Sequence, residues 1–250
     1  MTLTVGSLFA GIGGFDLAAE WMGWRTIWVS EIDPYACKVL AHRFPGAPNL
    51  GDITKIEWGT VERPEILCGG FPCQPHSFAG RRLGSGDVRD LWSEYVRSIR
   101  HLRPKYVVAE NVAGLLTSDG GGFFNRVLSD LAALGYDAEW EVFSAAEVGA
   151  PHLRERVWVV AYPNRNRLEA VANEGVLREP SDDTRSAGRL GEMGGAAIWS
   201  RPCPSGARPM GVGNGIPADL DRIKALGNAI VPQCAVAGPF RRIAELEGLA

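Results

Sequence analysis

The 250-residue chain has no run of about 18 apolar residues, and no basic start leading into an apolar stretch: Asp16 and Glu20 interrupt its first twenty positions. Neither a membrane-spanning helix nor a secretory leader is expected. Its five cysteines, at 37, 68, 73, 203 and 234, include no Cys-x-x-Cys pair, and an odd number with that spacing argues against both a disulfide framework and a zinc cluster. A reducing cytoplasm and the absence of a metal follow as expectations. No internal repeat is visible, and no Gly-Lys-Ser/Thr follows the glycines at 11, 13 and 14, which excludes a phosphate-binding P-loop. The net charge of −3 gives no sign by itself of a nucleic-acid partner.

What is present describes a loop-rich globular protein: 46% hydrophobic residues, 22% charged, 31 glycines and 16 prolines. The charge is unevenly spread. Residues 1–70 carry five basic and eight acidic groups, whereas 76–105 carry seven against three and 152–208 nine against seven. The positive surplus is local.

Apolar strand-like runs alternate with helical periodicity: Leu3–Leu8, Phe15–Gly23, Thr26–Ser30, Tyr35–Phe44, Glu65–Cys68, Val88–Leu102, Tyr106–Glu110, Phe124–Leu134 and Val157–Tyr162. This βαβα order predicts an α/β fold with an open, mostly parallel sheet. Helix stops are expected at Gly23, Pro45-Gly46 and Pro104. After Tyr162 the alternation gives way to Gly, Pro, Arg and Asn, and it returns at Ile223–Leu226 and Val231–Leu246. The expected organisation is a main domain over 1–162, a small irregular insertion over 163–217, and a closing segment over 218–250 whose helix packs back on the main domain.

The first strand runs into Phe9-Ala10-Gly11-Ile12-Gly13-Gly14-Phe15, a glycine-rich strand-to-helix turn that lets a ligand approach the backbone. It falls short of a dinucleotide fingerprint, since the third expected glycine is Asp16, an acid beside any pyrophosphate. Glu31, at the end of the second strand, stands where a carboxylate accepts from ribose hydroxyls, and Asp52 ends another short extended stretch, within reach of an adenine amino group. Together these favour a non-phosphorylated adenosine cofactor.

The sharpest segment is Gly69-Gly70-Phe71-Pro72-Cys73-Gln74-Pro75-His76-Ser77, directly after an apolar strand. Cys37, Cys68 and Cys234 lie in apolar elements, as small buried hydrophobes do, but Cys73 sits in a proline-restricted loop that aims a thiol from a strand end.

At this point the chain resembles the DNA (cytosine-5)-methyltransferase family. The glycine turn is similar to its S-adenosyl-methionine loop, and Pro72-Cys73-Gln74 to its nucleophile loop. Glu110-Asn111-Val112 is similar to the acid motif, Arg154-Glu155-Arg156 to the paired arginines, and Gly227-Asn228-Ala229-Ile230-Val231-Pro232 to the closing motif. The chain departs from the pattern at His152, where Gln is usual, and at His76, where an aromatic is usual. Its recognition region is short, and the arginine- and leucine-rich motif expected before the closing motif is hardly visible.

The resemblance implies a Rossmann-like methyltransferase fold in which 163–217 is the target-recognition region. Cys73, Glu110, Arg154 and Arg156 become the catalytic set. Phe9, Ala10, Gly11, Ile12, Gly13, Gly14, Glu31, Ile32, Asp52, Ile53, Pro72, Asn228 and Ala229 become contacts to S-adenosyl-methionine. Gln74, Ser77, Gly80, Arg81, Arg82 and Arg89 become contacts to double-stranded DNA, with Arg165, Arg167, Arg185, Arg189, Arg201 and Arg208 as further phosphate ligands. In this reading the Cys73 thiolate adds to C6 of a flipped cytosine, Glu110 hydrogen-bonds or protonates N3, Arg156 contacts O2, and Arg154 orients Cys73 or Glu110. On a strand the i, i+2 spacing places both arginines on one face.

The expectation is thus a monomeric, metal-free cytoplasmic enzyme of phage or restriction-modification type, with a possible cognate endonuclease. The short recognition region suggests a target of about two to four base pairs. An RNA cytosine-5 methyltransferase would share these reacting groups. A nucleotide-dependent oxidoreductase would leave Cys73, Glu110 and the arginines unexplained, and an inactive binding module would not need them.

Overall fold

Runs such as Ile66–Cys68 and Tyr106–Ala109 have no polar alternation, the mark of strands covered on both faces. The computed structural model describes residues 2–72, 91–164 and 225–249. In it β1 (Thr4–Leu8), β2 (Arg25–Ser30), β3 (Ile66–Gly70), β4 (Tyr106–Val112), β5 (Tyr136–Ser144) and β6 (Glu155–Pro163) form one sheet in the order β2-β1-β3-β4-β6-β5. β1 pairs in parallel with β2 and β3, and β3 with β4, while β6 runs antiparallel to both β4 and β5. The mostly parallel sheet is as expected, with β6 its reversed strand. β6 starts two residues before the expected run and includes Pro163, which pairs with Tyr136.

Helices cover both faces. α1 (Gly14–Trp21) ends before Gly23, which adopts φ 73°, and α2 (Pro34–Arg43) ends before Pro45-Gly46. α2 opens on Asp33, whose carboxylate accepts from the N–H groups of Tyr35 at 2.9 Å and Ala36 at 3.0 Å, with Pro34 in the first turn where its missing N–H costs nothing. α3 (Leu91–Leu102) buries Trp92, Tyr95, Ile99 and Leu102, and α4 (Gly122–Ala133) buries Phe124, Val127 and Leu131, the three-and-four spacing of a one-sided helix. Both lie on the core that also holds Trp28 and Trp58.

The opposite face is covered by α1 and by the C-terminal run α5 (Pro232–Ala235), a π turn (Val236–Phe240) and α6 (Arg241–Leu246). The wide turn contains Pro239, which lacks an N–H and would clash with the carbonyl four residues back in a regular helix. Phe240 is fully buried, with its ring centroid 5.0 Å from that of Trp24 and 5.9 Å from that of Phe15. The closing segment therefore completes the core.

Asp16 is not beside a ligand position. Its place on α1 turns it toward the sheet, where it is 1% exposed and accepts from Thr26 Oγ1 at 3.0 Å. Burial pushes its carboxyl up to about 6, opposed by that hydrogen bond. Because the folded state holds the proton more tightly than the unfolded chain, this group's stabilising contribution is complete below about pH 4 and is lost as pH rises toward 6. Asp16→Asn is expected to match the wild type near pH 4 and to exceed it above pH 7 by up to about 3 kcal/mol. Urea unfolding at the two pH values checks this.

Candidate active site at the carboxyl edge of the sheet

β1, β2, β3 and β4 all end on one edge, and the residues that follow them meet there. Leu8 leads into Phe9 at φ 51°, Gly11 at 55° and Gly13 at 88° before Gly14 starts α1. Repeated left-handed backbone explains the glycines at 11 and 13. Nothing lies within 4 Å of the position a Gly11 side chain would take, so the turn is open on that side. Glu31, the residue after β2, secures it: Oε2 accepts from Gly11 N at 2.7 Å, and Oε1 from Ile32 N at 2.7 Å and Asp33 N at 2.8 Å. Ile32 projects from this corner, 69% exposed.

Asn49 had no motif to announce it, yet it ties the same corner together. It accepts from Glu31 N and Gly51 N and donates to Glu31 O, each at 3.0 Å. Replacing Glu31 by alanine strips an acceptor from three backbone N–H groups and is expected to cost about 1–3 kcal/mol in urea unfolding.

Asp52, itself extended at φ −69° and ψ 114°, follows a short stretch in which Asn49 bridges Val29. It caps a 3₁₀ turn (Ile53–Lys55), accepting from Thr54 N at 3.0 Å and Thr54 Oγ1 at 2.8 Å, as Asp does at a helical N-terminus. Those bonds hold its carboxyl below the usual range. Ile53 is buried in the core behind it, and its carbonyl accepts from Arg97 at 2.7 Å.

Glu110 lies within β4 and pairs in register with Gly70 at the end of β3. Although only 8% exposed, it is matched by Arg156 of β6, whose Nε stands 3.0 Å from Oε1. Burial raises the carboxyl above its ordinary value, and Arg156 and Arg154 oppose the rise. An acid in this setting holds its proton longer than a solvated glutamate and has a cation at hand when it loses it. Asn111, quoted within the acid motif but given no role, is buried. Its Nδ2 donates to Phe71 O at 2.8 Å, fixing the backbone just before exposed Pro72, the residue preceding Cys73.

The arginine pair divides. Arg156 reaches Glu110, but Arg154 precedes β6 with φ 38°, so the strand argument that put both side chains on one face does not hold for it. Its Nη1 donates to Gly227 O at 2.5 Å and its Nη2 to Ala229 O at 2.6 Å. It thereby brings the closing motif, including exposed Asn228 and half-buried Ala229, to the edge where Glu110 stands. Cys73, Gln74, His76, Ser77, Gly80, Arg81, Arg82 and Arg89 lie outside the described residues, as do Arg165, Arg167, Arg185, Arg189, Arg201 and Arg208 of the insertion. Among the described residues, no three His, Cys, Asp or Glu side chains group as a metal site, and no helix is long and apolar enough to cross a membrane.

Curated relatives match just under two thirds of the chain. The chain is 38% identical over 161 residues to the type II methyltransferase M.BsuFI of Bacillus subtilis, covering 64% of this chain and 39% of the relative. It is 37% identical over 158 residues to M.HhaI of Haemophilus parahaemolyticus, covering 63% and 48%. The chain thus spans between two fifths and half of these proteins. A prophage-encoded E. coli protein described as a DNA modification methyltransferase superposes with a TM-score of 0.55 at 26% identity, over 65% of this chain and 47% of that one. A DNMT2 from Spodoptera frugiperda shares the fold with a TM-score of 0.57 at 23% identity, over 66% and 51%. The sheet is therefore of the Rossmann-like type found in methyltransferases. The family model for C-5 cytosine-specific DNA methylase matches residues 3–195, and the chain belongs to that family.

Proposed function

We propose that the protein is a DNA (cytosine-5)-methyltransferase that uses S-adenosyl-methionine to methylate C5 of a flipped cytosine in double-stranded DNA. The observation that carries this reading is the buried Glu110 carboxyl, paired with Arg156 at the strand edge from which the chain leads through Pro72 to Cys73.

The donor's site fits what surrounds it. The open face of Gly11, the Glu31 carboxylate behind it and the exposed Ile32 beside it offer a backbone cradle, an acceptor for ribose hydroxyls and an apolar surface for a base. Phe9, Ala10, Ile12, Gly13, Gly14, Pro72, Asn228 and Ala229 border the same edge. Asp52 and Ile53 lie beyond Glu31, where Asp52 keeps Oδ2 for an adenine amino group in competition with Lys55, 3.2 Å away. When bound, S-adenosyl-methionine supplies an electrophilic methyl group on a sulfonium.

The remaining chemistry belongs to the chain. C5 of cytosine is a poor nucleophile until the Cys73 thiolate adds to C6. Negative charge then builds on the ring, and a proton or strong hydrogen bond from Glu110 to N3 absorbs it. Arg156, already beside Glu110, is placed to contact O2 and to stabilise the carboxylate left behind. C5, made electron-rich by the addition, would then bond to the donor's methyl as the methyl–sulfur bond breaks; loss of the C5 proton to a base, expulsion of the Cys73 thiolate and return of the N3 proton to Glu110 complete the substitution. Both faces of the ring must be reached, so the base leaves the duplex stack. Gln74, Ser77, Gly80, Arg81, Arg82 and Arg89 follow Cys73 directly in the sequence and hold the flanking DNA.

The enzyme works as a cytoplasmic monomer of phage or restriction-modification type, with a cognate endonuclease as a possible partner and 163–217 setting a short target. Incubation with duplex DNA and labelled donor, followed by base-resolution mapping, tests the reading. It predicts 5-methylcytosine in duplex DNA within a short consensus. Methylation of transfer RNA in its place, or of adenine, would refute it.

A further inference from the structure

The wall beside Glu110 is built by a segment 120 positions away in the chain. Gly70 has no side chain, and two groups share the space one would fill: Glu110 Oε2 lies 2.9 Å from the position of its absent Cβ, and Ile230 Cδ1 lies 3.2 Å from it. On its other side Ile230 is set against Gly14, where its carbonyl oxygen and Cβ are 2.5 and 2.7 Å from the place a Cβ would occupy. Ile230 is therefore wedged between the start of α1 and the end of β3, at a spot where both neighbours are glycine. Arg154 fixes the backbone that leads into it, gripping the carbonyls of Gly227 and of Ala229, the residue whose carbonyl forms the peptide bond to Ile230.

We propose that Ile230 is a positioning residue for Glu110: its side chain is the apolar wall that keeps the acid's carboxyl out of water, and Arg154 holds that wall in place through the two carbonyls. The inference rests on reading Glu110 as the group that donates to N3. The ionisable groups about the carboxyl are Arg156 on β6, Arg154 just before it and the Cys234 thiol on α5, with Glu147 beyond that thiol. Two cations face the acid, and they favour its ionised form. Burial acts in the opposite direction and outweighs them, so a residue that maintains burial helps the acid keep its proton.

The test follows the Glu110 carboxyl by carbon-13 NMR in the full-length protein labelled at glutamate, with Glu110→Gln assigning the signal. Ile230→Ser is expected to move the titration of Glu110 downward by about one pH unit, and the alkaline limb of the methyl-transfer profile should move with it. Ile230→Val keeps an apolar wall and should leave both within about 0.3 unit of wild type. Should Ile230→Ser fail to fold, Ile230→Thr, which has the shape of valine with a hydroxyl in place of one methyl, provides the same comparison. A Ser or Thr variant that lowers activity equally at all pH values, with the titration unmoved, would overturn the proposal and leave Ile230 a space-filling residue. A wild-type protein that transfers no methyl group would instead remove the reading of the enzyme, while the NMR titration still decides whether Ile230 keeps the carboxyl dry.

Discussion

Glu110→Ala is expected to slow methyl transfer to cytosine by about 10²- to 10⁴-fold, the range for loss of a positioned proton donor. The substitution removes the group that receives Arg156 Nε at 3.0 Å, so it also leaves a largely buried guanidinium without its carboxylate. Loss of activity must therefore be separated from loss of fold. Donor binding measured by calorimetry should stay within about threefold of wild type, because the Gly11–Glu31 corner is held by its own hydrogen bonds. Glu110→Gln keeps the shape and can still donate a hydrogen bond, yet it has no proton to transfer. It should fall between wild type and alanine, and its rate should lose whatever alkaline decline the wild-type acid imposes. An alanine variant with near-normal turnover would assign N3 to another group.

Cys73→Ala should reduce methylation to the level of a control without enzyme, a loss on the order of 10⁴-fold or more, because no other group in the scheme attacks C6. Binding of donor and of DNA should persist. Cys73→Ser tests whether a poorer nucleophile suffices: a hydroxyl ionises far less readily than a thiol, so its activity should be close to that of alanine. The two arginines should separate from each other in the same assays. Arg156 touches the acid directly, whereas Arg154 acts through Gly227 and Ala229, so Arg154→Lys should disturb the closing motif before it disturbs Glu110.

Much of this arrangement was legible in the sequence because buried parallel strands advertise themselves. β3 runs from Ile66 through Cys68 into two glycines and β4 is apolar from Tyr106 to Ala109 before Glu110, so small residues and an acid stand at the carboxyl edge where such a sheet binds its ligand. β5 escaped notice for the opposite reason. It is an edge strand, and its alternate positions Asp137, Glu139 and Glu141 look like solvated surface until Arg242 and Tyr162 are seen to meet Glu139. The partners of Asp16 and Asp52 left no trace in the sequence because composition cannot say which way a carboxylate turns. One faces Thr26 in the core, and the other is occupied with Thr54.

The division of labour between Arg154 and Arg156 was hidden for a related reason. Spacing of i, i+2 implies one face only if both residues are extended, and Arg154 at φ 38° is not. Ile230 left no signal of its own. Its role depends on glycines at 14 and 70, which are remote in sequence and converge only when the sheet forms.

The measurement that goes most directly to the central claim uses duplex DNA in which the target cytosine carries fluorine at C5. Fluorine cannot depart as a proton does, so a cysteine that has added to C6 stays bonded to the methylated base. Incubated with donor and this DNA, the wild-type protein should form a denaturant-resistant complex, and mass spectrometry of its peptides should locate the bond at Cys73, with none in Cys73→Ala. Binding of donor and DNA without any adduct, or an adduct at another cysteine, would contradict the account.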